Sequence, residues 1–98
     1  MRCLVLHGLA GSPFEVRPVA DALEAAGHVA VCPVLPGHAA SEAEYLASSY
    51  AEWLDCARAA YLDQCSSGPV LLTGYSLGGL LALDIAAEAA QGRLPAPA

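Results

Sequence analysis

The sequence predicts an α/β fold in which a three-stranded parallel sheet is flanked by helices. Three short apolar stretches alternate along the chain with segments whose apolar residues recur at helical spacing. Each stretch is apolar throughout instead of alternating with polar residues, which is typical of a strand buried on both faces of a parallel sheet. Because strands that alternate with helices form βαβ units, the three strands are expected to share one sheet.

In the first half of the chain the predicted elements are two strands around one helix. The first strand is Cys3 to Leu6, and the capping box Ser12-Pro-Phe-Glu15 begins the helix after it. Gly27 is placed to end this helix in the left-handed conformation. The second strand is Val29 to Val34. The helix face predicted to pack against the sheet carries Phe14, Val16, Val19, Leu23 and Ala26.

In the second half, a second capping box and a short apolar run define one more helix-strand-helix unit. The segment 39–48 is predicted as loop with at most one helical turn. The remaining predictions are a helix opened by Ser49-Tyr-Ala-Glu52 and stopped at Ser66-Ser-Gly-Pro69, a strand from Val70 to Thr73, a glycine-rich turn from Gly74 to Gly79, and a helix from Leu80 to Ala90.

Composition and charge exclude several classes of function. The net charge is -6, and the four basic residues are dispersed, so nucleic acid is not an expected partner. No apolar stretch has the length of a membrane span or of a signal peptide, and a cytoplasmic protein is therefore expected. The four cysteines form no CxxC pair and lie in apolar segments, so they are expected to be core residues and not metal ligands or disulfide partners. No metal or cofactor is expected.

One motif carries the chemistry: Gly74-Tyr-Ser76-Leu-Gly78 matches G-x-S-x-G. A predicted strand comes directly before it and a predicted helix after it, which is the setting that a nucleophilic serine requires. A tight turn from strand to helix holds the serine in a strained backbone conformation, and glycine neighbours let strand and helix approach closely. We therefore predict that Ser76 is an exposed nucleophile near the N-terminus of a helix.

A second signal is the loop His7-Gly-Leu-Ala-Gly11, which comes directly after the first predicted strand. Ligand sites in open α/β sheets lie in the crevice at the carboxyl ends of the strands. The loop and Ser76 are therefore expected to face one cavity although they are far apart in sequence.

These two motifs and the turn Leu35-Pro-Gly-His38 together resemble bacterial carboxylesterases and monoacylglycerol lipases of the α/β-hydrolase family. The resemblance covers nearly the whole chain and implies that residues 1–98 are the N-terminal part of an α/β-hydrolase domain. It implies that Ser76 is the nucleophile and that the backbone N–H groups of Leu9 and Leu77 form the oxyanion hole. The supporting motif residues are His7, Gly8, Gly74 and Gly78.

The sequence departs from the family on the C-terminal side of the serine. In the family an Asp or Glu and then a His come after the nucleophile, but no histidine comes after Ser76 here. Asp84 and Glu88 fall within the last predicted helix and are expected to be exposed. His7, His28 and His38 precede the serine and are expected to have structural roles. The later strands and the acid and histidine of the triad are absent from this sequence, so the chain is expected to be nearly inactive by itself.

Three functions remain open on the sequence alone. The first is hydrolysis of a small carboxylic ester through an acyl-enzyme on Ser76, without metal or cofactor. The second is amide hydrolysis or acyl transfer on the same fold. The third is a non-catalytic binding or assembly module, since the outer edge of the third strand is expected to be open to association. Aromatic residues at Tyr45, Trp53 and Tyr75 are expected in the core or in an apolar pocket.

Overall fold

The computed structural model describes all 98 residues and has three strands, four α-helices and one short 3₁₀ helix. The strands are β1 (Arg2–Leu6), β2 (Val29–Val31) and β3 (Val70–Gly74). The helices are α1 (Arg17–Ala25), α2 (Glu42–Ala47), α3 (Tyr50–Cys65) and α4 (Leu77–Ala90), and the 3₁₀ helix Pro13–Val16 precedes α1.

The three strands form one parallel sheet in the order β2-β1-β3. On one side of β1, Arg2 is opposite Val29; on the other, the pairing runs from Arg2 opposite Val70 to Leu6 opposite Gly74. The central strand is buried from Cys3 to its end, as its continuous apolar run predicts. The α/β fold class, its three parallel strands and the flanking helices are therefore confirmed.

The hydrophobic core lies between the sheet and helices α3 and α4. Tyr61 is fully buried, and its hydroxyl donates a hydrogen bond to the carbonyl oxygen of Pro95 at 2.6 Å. The other buried core residues are Leu4, Leu6, Leu35, Ala57, Val70, Leu77, Leu81, Ile85 and Leu94.

The acidic residues of α4 are not freely exposed, so that expectation is wrong. Asp84 accepts a hydrogen bond from the Tyr50 hydroxyl, and Arg58 lies 3.1 Å from the Glu88 carboxylate. The Glu88 side chain is only 19% exposed. These side chains link α3 to α4. They can meet because both helices pack side by side on the same face of the sheet.

Several other boundaries differ from the sequence predictions. The strand β2 ends at Val31 instead of Val34, because Pro33 has no N–H to donate to a sheet. Residues 42–47 form the helix α2, which begins where the Ser41 hydroxyl accepts a hydrogen bond from Glu44 N–H. The helix α4 begins at Leu77 instead of Leu80, since Gly78 and Gly79 adopt helical conformations.

The apolar face predicted for the first helix is largely exposed. Val16 is buried, but Phe14 is 80% exposed and Val19 is 45% exposed. The helix α1 packs beside β2, which has only three residues and offers little surface to cover. Amphipathic spacing in this segment therefore predicted the helix correctly and its burial incorrectly.

The outer edge of β3 is open along most of its length. Ala98 N–H donates to the carbonyl oxygen of Val70 at 2.9 Å, which shows that Val70 directs its backbone groups outward. Backbone groups of alternate residues in a strand point to the same side, so Leu72 presents its N–H and C=O to the same open edge.

All four cysteines are free thiols, and no helix is both long and apolar enough to span a bilayer.

Candidate active site

Ser76 lies in the turn between β3 and α4 with a backbone conformation that L-residues rarely adopt. Its φ is +54° and its ψ is −115°, and its side chain is exposed. The hydroxyl does not cap α4 by a hydrogen bond. A non-glycine residue held in this region stores strain of roughly 1 to 3 kcal/mol, and such strain is concentrated at functional sites.

Two glycines of the motif permit this turn because other backbone occupies the space beside them. A Cβ on Gly74 would collide with the backbone of Gly78 and Gly79, and a Cβ on Gly78 would collide with the carbonyl group of Leu6. The close approach of α4 to β3 and β1 therefore depends on glycine at these two positions.

The loop after β1 lies directly against this turn. Gly11 N–H donates to the carbonyl oxygen of Gly8 at 3.0 Å, and Ala10 has a φ of +57°. A Cβ on Gly8 would be 3.4 Å from the Cβ of Ser76 and 3.1 Å from the Tyr75 ring. The structure thus brings together the two loops that the sequence predicts to share one cavity, but none of its four pockets is lined by Ser76.

Two backbone N–H groups at this junction have no partner. Neither Leu9 N–H nor Leu77 N–H donates a backbone hydrogen bond. Leu77 is the first residue of α4, so its N–H lies at the positive end of the helix dipole. Unpaired donors beside an exposed hydroxyl are the groups that stabilise a negatively charged oxygen during acyl transfer.

His7 is fully buried and both of its ring nitrogens are engaged. Nδ1 lies 2.9 Å from the carbonyl oxygen of Gly8, which can only accept, so Nδ1 carries the proton. Nε2 accepts a hydrogen bond from Leu35 N–H at 3.1 Å. Burial lowers the pKa of His7, which favours this neutral form. No lone pair remains on His7 to take a proton from Ser76.

His38 is buried among other aromatic side chains. Its ring centroid lies 5.0 Å from that of His7 and 5.2 Å from those of Tyr45 and Trp53. Nδ1 lies 3.1 Å from the carbonyl oxygen of Pro36, to which Trp53 Nε1 also donates at 2.9 Å. Two of the three aromatic residues singled out from the sequence therefore contact each other through His38, and the third, Tyr75, is 60% exposed beside Ser76.

Two contacts of the site are not predicted by the sequence. The local pattern predicts that Glu15 completes a capping box with Ser12, but its carboxylate accepts a hydrogen bond from Gly8 N–H. The bond from Leu35 to His7 joins residues 28 positions apart, and no local pattern indicates it.

The structure contains no group of three or more His, Cys, Asp or Glu residues that could hold a metal ion.

The geometry and the comparisons with known proteins agree on the class. The chain belongs to the alpha/beta hydrolase family, whose sequence model matches residues 3–97. It is 30% identical over 86 residues to the thermostable monoacylglycerol lipase of Bacillus sp. (strain H-257), an alignment that covers 85% of this chain and 34% of that enzyme.

A solved structure from work on LipS and LipT, two metagenome-derived lipolytic enzymes, has the same fold. It superposes with a TM-score of 0.84 at 33% identity and covers 91% of this chain and 37% of that one. The chain thus spans about a third of the length of these relatives. Its resemblance to esterases and lipases of the α/β-hydrolase family is therefore confirmed.

Proposed function

We propose that this chain carries the nucleophile and the oxyanion hole of a serine hydrolase that cleaves carboxylic esters through an acyl-enzyme on Ser76. The observation that supports it most strongly is the strained, exposed Ser76 beside the loop of Gly8. The similarity to a monoacylglycerol lipase and to metagenome-derived lipolytic enzymes supports an ester as the substrate class.

In the proposed reaction, Ser76 Oγ attacks the acyl carbonyl carbon and the carbonyl oxygen takes up the electron pair. The N–H groups of Leu9 and Leu77 donate to that oxygen while it is negatively charged. Collapse of the intermediate breaks the ester C–O bond, and the alcohol leaves with the proton that Oγ has lost. Attack by water on the acyl-enzyme then releases the acid and restores Ser76.

The proton transfer is the step that these 98 residues do not support. His7 is neutral with both nitrogens occupied, and His28 contacts the N-terminal amine. His38 Nε2 has no hydrogen-bond partner, but the side chain is only 4% exposed and is enclosed by its aromatic neighbours. An oxyanion hole with substrate binding alone retains roughly 10³ to 10⁴ over water. We therefore propose that this part of an α/β-hydrolase domain reacts at Ser76 slowly and turns over esters hardly at all.

The test is covalent labelling of the folded chain by a fluorophosphonate probe, with Ser76→Ala as the loss variant. Ser67→Ala is the matched control, because Ser67 is also exposed but lies at the far end of α3. We expect slow labelling that Ser76→Ala abolishes and Ser67→Ala leaves unchanged. Equal labelling of the Ser76→Ala variant, or none in a folded chain, would refute the proposal and favour a non-catalytic module.

A second arm tests whether a general base is missing. Imidazole added to the solution can accept the proton that His7, with both ring nitrogens occupied, cannot take from Ser76. We expect the labelling rate of the unmodified chain to rise with imidazole concentration, while the Ser76→Ala variant stays unlabelled. A rate that is already fast and independent of imidazole would show that the chain supplies its own base.

A further inference from the structure

We infer that Glu15 is a positioning residue that holds the oxyanion loop, residues 8–11, against Ser76. Its carboxylate accepts the hydrogen bond of Gly8 N–H across the start of that loop. The effect of Glu15 on the reaction rests on the proposed function, whereas its effect on the loop does not.

The contact brings Glu15 close to the turn that carries Ser76. A Cβ on Gly8 would be 3.0 Å from Glu15 Oε1 and 3.4 Å from the Cβ of Ser76, so the carboxylate and the serine approach the same point. A Cβ on Gly11 would collide with the Glu15 carboxylate. Both glycines of the loop therefore pack against this one side chain.

The polar groups of Gly8 are anchored on both sides. Its carbonyl oxygen accepts hydrogen bonds from Gly11 N–H and His7 Nδ1, while its N–H donates to Glu15. In a trans peptide the N–H of the next residue points away from the preceding carbonyl, so fixing the Gly8 carbonyl also directs the Leu9 N–H. Glu15 fixes the peptide before Gly8 and thereby completes the clamp.

The loop needs such a clamp because its middle residues do not pack into the core. Leu9 and Ala10 are exposed, and Ala10 has a φ of +57°, a conformation that L-residues adopt at a cost. Without the carboxylate, the Gly8 N–H would be left without an acceptor at the position where the loop begins. A hydrogen bond to a carboxylate is stronger than one between two neutral groups. Its loss would therefore loosen the loop at the next residue, Leu9.

The charge of Glu15 is separable from its hydrogen bond. Glu15→Gln keeps an acceptor oxygen and removes the negative charge, whereas Glu15→Ala removes both. A carboxylate near a developing oxyanion opposes its charge, so the Gln variant is expected to label at least as fast as the unmodified chain. The Ala variant is expected to label about tenfold more slowly, which corresponds to the loss of one well-placed hydrogen bond.

The loop is tested directly by the rate at which the backbone amide of Gly8 exchanges with deuterium, followed in ¹H–¹⁵N NMR spectra. We expect this amide to exchange about tenfold faster in Glu15→Ala than in the unmodified chain, because its N–H then has no acceptor, and to stay protected in Glu15→Gln. Glu24→Ala is the matched control, since Glu24 is an exposed acid of α1 distant from the loop. A Gly8 amide that exchanges at the same rate in the unmodified chain and in Glu15→Ala would overturn the inference.

The labelling rates separate positioning from mere stability. Slow labelling of Glu15→Ala with recovery in Glu15→Gln supports positioning through the hydrogen bond. Equal rates for the unmodified chain and Glu15→Ala would overturn the role in the reaction. If even the unmodified folded chain is not labelled, the proposed function fails, and the inference is then decided by the Gly8 amide alone.

Discussion

Replacing Gly78 by alanine should destabilise the fold, while the same change at the neighbouring Gly79 should not. Both glycines lie in the first turn of α4. A Cβ on Gly78 would lie 2.7 Å from the carbonyl oxygen of His7 and would collide with that of Leu6. A Cβ on Gly79 would meet nothing closer than the Gly74 carbonyl oxygen at 3.5 Å, an ordinary contact.

The expected difference in stability between the Gly78→Ala and Gly79→Ala variants follows from these distances. Inserting atoms into a packed interior costs typically about 1 to 3 kcal/mol, and the upper end applies because Leu6 belongs to the buried central strand and cannot move aside. Alanine in place of glycine in a helix contributes about 0.5 to 1 kcal/mol of stability. We therefore expect Gly78→Ala to lose about 2 kcal/mol and Gly79→Ala to gain up to about 1 kcal/mol.

Urea unfolding monitored by circular dichroism at 222 nm measures both free energies under the same conditions. In thermal unfolding of a chain of this length, a difference of about 3 kcal/mol corresponds to Tm values of the two variants that differ by more than roughly 10 °C. A Gly78→Ala variant as stable as the unmodified chain, or a Gly79→Ala variant as damaged as Gly78→Ala, would refute the close packing of α4 against β1.

Three further predictions concern pH, strain and association. Burial lowers the pKa of His7 from its usual 6.5. The stability that neutral His7 contributes is therefore complete above pH 6.5 and is lost as pH falls toward the lower folded-state pKa. In urea titrations, His7→Gln should flatten this pH dependence of the free energy of unfolding. Ser76→Gly should raise the free energy of unfolding by about 1 kcal/mol, because glycine adopts positive φ without strain; an unchanged value would argue against a strained Ser76. The open edge of β3 should let copies of the chain associate at high concentration; in sedimentation velocity, Leu83→Lys beside that edge should reduce association, and Leu62→Lys on α3 should not.

Local patterns in the sequence are sufficient for most of the elements. The continuous run that ends at Leu6 identifies the buried central strand, and Gly27 has the left-handed φ of +91° that its position predicts. The Ser49 hydroxyl accepts from Glu52 N–H, as the capping box indicates. Each of these features depends on residues within one or two turns of each other, which is the range that a local pattern describes.

The features that the sequence does not reveal depend on long-range packing. Whether an apolar helix face is buried depends on which elements pack beside it, and Phe14, in the 3₁₀ helix before α1, is exposed. The neutral state of His7 depends on a hydrogen bond from Leu35, which lies in another loop. Glu15 reaches Gly8 instead of Ser12 because the loop folds back over the 3₁₀ helix.

The most direct test of the account is to find which residue carries an acyl group after incubation with an activated ester. The folded chain would be treated with p-nitrophenyl butyrate, quenched in acid, digested and sequenced by tandem mass spectrometry. We expect a single butyryl group on Ser76, retained because deacylation also lacks a base. A butyryl group on any other residue, or an unmodified Ser76 in a chain shown to be folded, would contradict it.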